Sequence, residues 1–518
     1  MNKQLLSTTL VIASMITVQI GCSDAPEIVT KSETKPASMQ APAGMQKTKP
    51  VSKAMPVEMQ AEKLMSDGVT CIQTGKYPEA IKAFQEILKI VGNDNPLTPT
   101  AYYNIACTYA LMKESKPALE YLGQAIKSGY DNRESIEADP DLVSLRELPE
   151  YKAVLDLIPP ITAITPTAQD EADQKEALKL IADIRGLKFK TEPAYKIMAP
   201  DQFARAYGGG RENDSIMGFY RWSDKTLYLK QGLDPAKFKG TRIHETFHAL
   251  QDQLYNTGEV QQSIKTSDGH YALLALIEGD ATLTFIECMP ESMAKMMISS
   301  ATPWRMMGGE PKYDKSRRGE AAMRQSAYGY SIAARFVQAI KDAKGWAGVN
   351  SMYTNIPTST EQVLHPEKYL ANEQPVEVTI PDVAGLLGVG WSASNSDTVG
   401  EFGILLGLLS NDKSGPLAEA AATGWAGDKL VLIGNKDSQK AFAIHKAAWD
   451  TAKDAQEFFD ASVLVMESAG QLTKTENTAT LANDNGDIDY LALNGKNVML
   501  INNLPAELKD KVIKALGK

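Results

Sequence analysis

Histidine is scarce in this chain, with 5 among 518 residues. Cysteine is scarcer still, at 4, and no Cys-x-x-Cys pair or Cys/His cluster occurs. That sets aside a zinc-finger module and a dense disulfide framework. A basic excess is also missing: 54 Lys and Arg face 64 Asp and Glu, a formal net charge of -10. Nucleic-acid binding needs a basic footprint for the phosphates, so no nucleic-acid partner is expected. The apolar stretch that opens the chain, Leu5 to Ile20, is too short and wrongly flanked for a stable membrane span. What is present suffices for ordinary folded cores, at 43% hydrophobic and 23% charged residues. A chain of this length is expected to form two or three domains.

Lys3 followed by the apolar stretch reads as a secretory signal peptide over residues 1–21. Ile20-Gly21-Cys22 resembles a bacterial lipoprotein cleavage site, although Gln19 stands where that family prefers Leu. The resemblance implies a lipid on Cys22 and membrane anchoring, with plain secretion as the alternative. Ser23 resembles the pattern sent to the outer membrane, so an exported outer-membrane, periplasmic or surface protein is expected. Residues 22–60 are rich in Lys, Thr, Pro, Ala, Met and Ser, the composition of a flexible tether. Cys71 and Cys107 suit helix faces as small buried hydrophobes, and a disulfide between them is left open.

Residues 61–157 carry an internal repeat. Ala80 and Ala118 are 38 residues apart, as are Phe84 and Leu122. Small residues at those positions allow helices to cross closely, and large ones fill the space between units. The pattern resembles the tetratricopeptide repeat, a helix-turn-helix unit of about 34 residues. Residues 92–99 accommodate the extra length. Such a module implies a protein partner and supplies no chemistry.

Pro159 to Thr167 is a Pro/Thr linker. A second domain over 168–518 is expected to combine helices with some strands, so the whole chain is mainly α with an α+β portion. Helices are expected at Gln169–Leu187, Thr241–Tyr255, Tyr271–Ile286 and Ser331–Ala343. Hairpins are expected at Ile216–Leu229 and at Tyr490–Leu493 with Val498–Ile501, turning at Asn494-Gly495, before a short helix near 505–516.

The chemistry-bearing text is His244-Glu245-Thr246-Phe247-His248. Histidines four apart lie on one helix face and can share a metal ion. Zinc catalysis needs three protein ligands and an open position, and Glu278, 30 residues after His248, is the candidate third. An acidic residue followed by glycine inside an apolar helix is poor helix design, and a buried carboxylate needs a partner. Glu245 can act as general base without binding metal. The bland alternatives are a solvated pair of histidines and a glutamate on a wet helix face. Ile243, Phe247, Leu250 and Leu254 argue for a packed helix instead. Asp252 and Asp280 are candidates to orient the imidazoles. Gly279 and Ala281 would let the two ligand-bearing helices approach.

His-Glu-Thr-Phe-His-Ala-Leu-Gln-Asp-Gln (244–253) with Glu-Gly-Asp-Ala (278–281) resembles the glutamate-zincin metallopeptidases, and within them a group of bacterial exported zincin-like proteins. Tyr328-Gly-Tyr330, the text from Pro357 to Pro366, Gly400-Glu401, the text from Gly424 to Asp428, and the text around Trp449-Asp450 share that resemblance, over roughly 170–515. It implies a zincin-like domain, Zn2+ held by His244, His248 and Glu278, and Glu245 as the base. Tyr330 and His365, with Tyr220 behind them, are the candidates for stabilising the oxyanion. For His365 a structural loop role is the alternative, and for Tyr330 a core role. His270 and His445 are read as non-catalytic, and Trp425–Asp428 as a turn below the cleft. The Ile216–Leu229 hairpin could pair with an extended peptide. The expected function is zinc-dependent hydrolysis of a protein or peptide substrate. The competing readings are a catalytically idle binding or assembly lipoprotein and hydrolysis of a non-protein amide such as cell-wall peptide.

Overall fold

The computed structural model describes residues 57–518, apart from 208–215, 291, 293, 295–316 and a few single positions. The expected signal peptide, Cys22 and nearly all of the expected tether lie outside the described residues. The chain divides into two compact units. One comprises Ile164–Met198 and Asp214–Lys518; the other runs to Ala163 and includes Ala199–Asn213. Among the described residues, no helix is long and apolar enough to cross a membrane.

The repeat unit stacks α1 (Val57–Gln73), α2 (Tyr77–Val91), α3 (Leu97–Leu111) and α4 (Ser115–Lys127) as two helical hairpins. The first helix begins four residues inside the stretch read as tether. The residues at the 38-residue offset are core: Ala80, Phe84, Ala118 and Leu122 are all fully buried. Gly68 is small because the Phe84 ring occupies the space beside it; a Cβ there would sit 2.5 Å from Cε1. Tyr151 and Leu155 on the Pro149–Leu155 helix close the array. Cys71 and Cys107 are not joined in a disulfide. Cys107 is buried in the apolar core of the second hairpin.

In the other unit, α5 (Ala168–Arg185) starts at a capping box, Thr167 with Asp170, and stops at Gly186 in the left-handed region. A three-stranded sheet follows, ordered β1 (Ala194–Met198), β3 (Thr226–Lys230), β2 (Gly218–Arg221). β1 runs parallel to β3, and β2 is its antiparallel hairpin partner. Next comes α6 (Pro235–Tyr255). Asp234 caps it by accepting from the Ala236 and Lys237 amides, Pro235 fits its first turn, and Asn256 ends it in the left-handed region. α7 (Ser267–Glu287) is buried on nearly every side, which suits its almost uninterrupted apolar text. α8 (Ala333–Ser351) packs along it. Gly279 makes that approach close, since a Cβ there would lie 2.4 Å from the Ala333 carbonyl oxygen. The glycine therefore admits α8, rather than the histidine helix for which the sequence suggested it.

The larger departure is at the C-terminal end. A seven-stranded antiparallel sheet runs β4 (Trp391–Ala393), β5 (Trp425–Asn435), β6 (Lys440–Trp449), β10 (Asn497–Pro505), β9 (Asp487–Asn494), β8 (Thr478–Ala482), β7 (Leu472–Lys474). Only the β9–β10 hairpin was expected. Trp425–Asp428 opens a long strand instead of closing a turn. One sheet face packs on α10 (Ala452–Ala469) and the helical core, α9 (Gly400–Leu409) included. The other covers a smaller cluster with Val383, Phe442, Ile501 and Val512. Asp428 pins the start of β5 by accepting from the Val399 and Gly400 amides, the Trp425 indole and the His445 ring. His445 is thus a structural histidine.

Candidate metal centre

α6 and α7 bring three ligand-type side chains to one point. His244 Nε2 lies 3.0 Å from His248 Nε2 and 3.1 Å from a Glu278 carboxylate oxygen; His248 Nε2 lies 3.6 Å from that same oxygen. The helical spacing of four stacks the two rings edge to face at 4.6 Å. All three groups are largely buried, with Glu278 the most open at 16% side-chain exposure. Two buried imidazole nitrogens and a carboxylate oxygen facing one another form a donor set that could hold a cation. Burial opposes a charge on His248, yet Glu278 beside it outweighs that and raises the ring to about 9. Burial would likewise raise Glu278, but the two histidines hold it well below the usual carboxylate range. The donor set, two nitrogens and one oxygen, is one that zinc accepts at catalytic sites. The residues present fit the ion.

Glu245 sits beside the cluster and is not part of it. Its carboxyl packs against Gly218 on β2, where a Cβ would come within 3.0 Å of the glutamate Cγ. Burial raises its pKa, partly offset by His244 and His248. Tyr330 lies on a π-helical turn, Tyr328–Ile332, and its ring centroid is 6.3 Å from that of His244. It is exposed at the surface and not part of the core. Such π-turns recur at functional sites because they re-aim a side chain.

His365 is placed differently. Its Nε2 pairs with Glu401 at 3.0 Å, and that bond and the neighbouring acids raise its pKa against the lowering effect of burial. The preceding turn docks at the start of α7: Thr360 bonds Asp268, ten residues before Glu278 and so about 15 Å along the axis. This geometry favours the structural loop role for His365. Tyr220 donates to Asp252 at 2.9 Å. Asp252 also receives Lys225 at 2.6 Å, so it serves the β2–β3 hairpin and does not orient an imidazole.

The group that does orient one is Gln251. Its Oε1 is 2.7 Å from His248 Nδ1, while its Nε2 donates to the Ile277 carbonyl at 2.9 Å and the Tyr353 hydroxyl at 2.6 Å. Tyr353 donates to Asp280 at 2.8 Å, and Asp280 is paired with Arg185 at 2.6 Å. Asp280 therefore acts on His248 only indirectly, through Gln251 and its partner Tyr353. The sequence did carry a signal for Gln251: three residues after His248, it shares that histidine's face. Nothing local marked Tyr353 or Arg185.

Two other carboxylate groupings are already satisfied without a metal. Glu361, Glu373 and Asp450 surround the Lys368 ammonium at 2.6, 2.9 and 2.8 Å. Asp139, near Cys107 and Asp141, accepts from the Tyr103 hydroxyl at 2.6 Å.

Comparison with known proteins adds to both units. Residues 68–128 match the tetratricopeptide repeat, and residues 387–512 match a domain of unknown function (DUF8575). The second match covers all seven strands of the larger sheet and α10. A chloroplastic protein from Arabidopsis thaliana is 33% identical over 96 residues, which is 18% of this chain and 28% of that protein. No solved structure matches. The chain thus carries a tetratricopeptide repeat module, a fold suited to binding protein partners.

Proposed function

We propose that this chain is a zinc-dependent peptidase, exported and lipid-anchored at Cys22, that carries a repeat module for a protein partner. The observation behind the proposal is the convergence of His244, His248 and Glu278, with their ligand atoms all within 4.8 Å, beside a buried Glu245. His244 Nε2, His248 Nε2 and a Glu278 oxygen would hold the ion, the ligand number that catalytic zinc sites use. Zinc bound there would polarise a substrate carbonyl and bring the pKa of water to about 7. Glu245 accepts a proton from the attacking water on its carboxylate and returns it to the departing amine. Its burial supports that role, because a raised pKa moves a carboxylate toward the working pH. Tyr330 donates to the developing oxyanion. β2, an edge strand next to Glu245, pairs with the extended substrate. The anchoring proposal rests on the apolar leader and Cys22 alone.

The test is Glu245→Gln. The variant should keep one zinc per chain and lose peptide hydrolysis by about 10²–10⁴-fold or more. Full activity in that variant refutes the mechanism. The repeat module favours one second reading, a partner-binding protein with an idle zincin-like site. Zinc present in the wild-type chain with no cleavage across a broad peptide library would select it.

A further inference from the structure

We infer that Gln251 is a positioning residue for the metal centre: it fixes the tautomer in which the Nε2 lone pair of His248 faces the ion. This rests on the metal reading above. The inference follows from hydrogen-bond roles. The Ile277 carbonyl can only accept, so the atom 2.9 Å from it must be the Gln251 NH2. The Gln251 oxygen is then the atom facing His248 Nδ1 at 2.7 Å, and it too can only accept. His248 Nδ1 must therefore carry a hydrogen, so in the neutral ring that a metal ion requires the lone pair is on Nε2, toward His244 and Glu278.

The amide is itself locked. Tyr353 gives its hydrogen to Asp280 at 2.8 Å, so it receives one from Gln251 at 2.6 Å. Arg185 holds Asp280 and also bonds Thr284 at 2.9 Å and Asn350 at 2.6 Å. Its guanidinium lies 4.2 Å from the Trp346 ring centroid and 4.8 Å from that of Phe247. One buried chain of contacts thus links α5, α7 and α8 to a single metal ligand on α6. Gln251 also grips the carbonyl immediately before Glu278, so the same side chain sets the register between the two ligand-bearing helices. His244 has no such support: its buried Nδ1 has no hydrogen-bond partner among the described residues. The protein orients one histidine ligand firmly and leaves the other to the metal.

The experiment measures the zinc dissociation constant of the full chain by chelator competition, for wild type, Gln251→Met and Gln251→Glu. Met keeps the length and removes the acceptor. Glu keeps an acceptor for Nδ1–H and removes the amide donors. Gln251→Met should bind zinc about 10–100-fold more weakly, and Gln251→Glu, which keeps the acceptor but loses the grip on Ile277, should lose clearly less than Gln251→Met. Wild-type affinity in Gln251→Met overturns the inference. So does an equal loss in both variants, because packing and not the acceptor would then be the cause. Nitrogen NMR of the zinc-loaded wild type gives a readout that needs no variant to fold: His248 Nδ1 should be protonated, and an unprotonated Nδ1 overturns the inference. A wild-type chain that takes up no zinc refutes the metal reading itself. Zinc uptake by the wild type with no change in Gln251→Met refutes only the role of Gln251.

Discussion

Gly279→Ala sets two effects of opposite sign against each other. Alanine is the better helix former, by about 1 kcal/mol in an exposed helix. Here, however, the new Cβ would lie 2.4 Å from the Ala333 carbonyl oxygen, 2.6 Å from its carbon and 3.0 Å from Val337 Cγ2. Ordinary contact begins near 3.4 Å, so the helices must separate by about 1 Å, and two of the three atoms are backbone that cannot rotate away. Overpacking costs about 1–3 kcal/mol, and a backbone clash belongs at the upper end, so the net loss should be about 1–2 kcal/mol. Glu278 immediately precedes this position, so displacement of α7 should weaken zinc binding as well. Urea unfolding followed by tryptophan fluorescence reads the right unit, because all 6 tryptophans lie between residues 222 and 449. An unchanged or higher stability would refute the close packing of α7 on α8.

Three further outcomes follow from the same geometry. Arg185→Leu leaves Asp280 buried without its cation; the two side chains are 0% and 1% exposed, and the loss should be about 3–5 kcal/mol in the same urea assay. A loss below about 1 kcal/mol would show that the pair is dispensable. Burial raises Glu361 from 4.5 to about 7 despite the Lys368 ammonium, so the folded chain holds a proton there that the unfolded chain has released. Stability from this group therefore falls as pH rises from about 4.5 to about 7, and Glu361→Gln should flatten that fall, with identical pH slopes as the contrary result. Phe84→Ala removes a fully buried ring from the repeat core and should cost about 3–5 kcal/mol. Far-UV circular dichroism should show that loss at temperatures where the tryptophan signal is still native, and a single coincident transition would contradict it.

The sequence made the centre legible because its parts obey local rules. Helical spacing places His244 and His248 on one face, and Glu278-Gly279 was visible as an anomaly in apolar helical text. The repeat was legible because Ala80/Ala118 and Phe84/Leu122 report close packing twice at one period. The seven-stranded sheet was not legible, for a physical reason. β5 and β6 are covered on both faces, so they lack the alternation that marks a half-exposed strand. β6 also reads Lys-Ala-Phe-Ala-Ile-His-Lys-Ala-Ala-Trp, whose alanines and lysines favour helix until tertiary pairing overrides them. Asp252 and Asp280 were the natural choices to orient an imidazole, because carboxylates commonly do so. The amide of Gln251 does it instead, and its partners Tyr353 and Asp280 come from far along the chain.

The most direct measurement is anomalous diffraction at the zinc edge from crystals of the full chain, paired with the zinc content of the same protein. One zinc per chain is expected, with a peak about 2.0–2.2 Å from His244 Nε2, His248 Nε2 and a Glu278 oxygen. A peak elsewhere, or zinc-saturated protein with no peak between these three side chains, would contradict the metal centre.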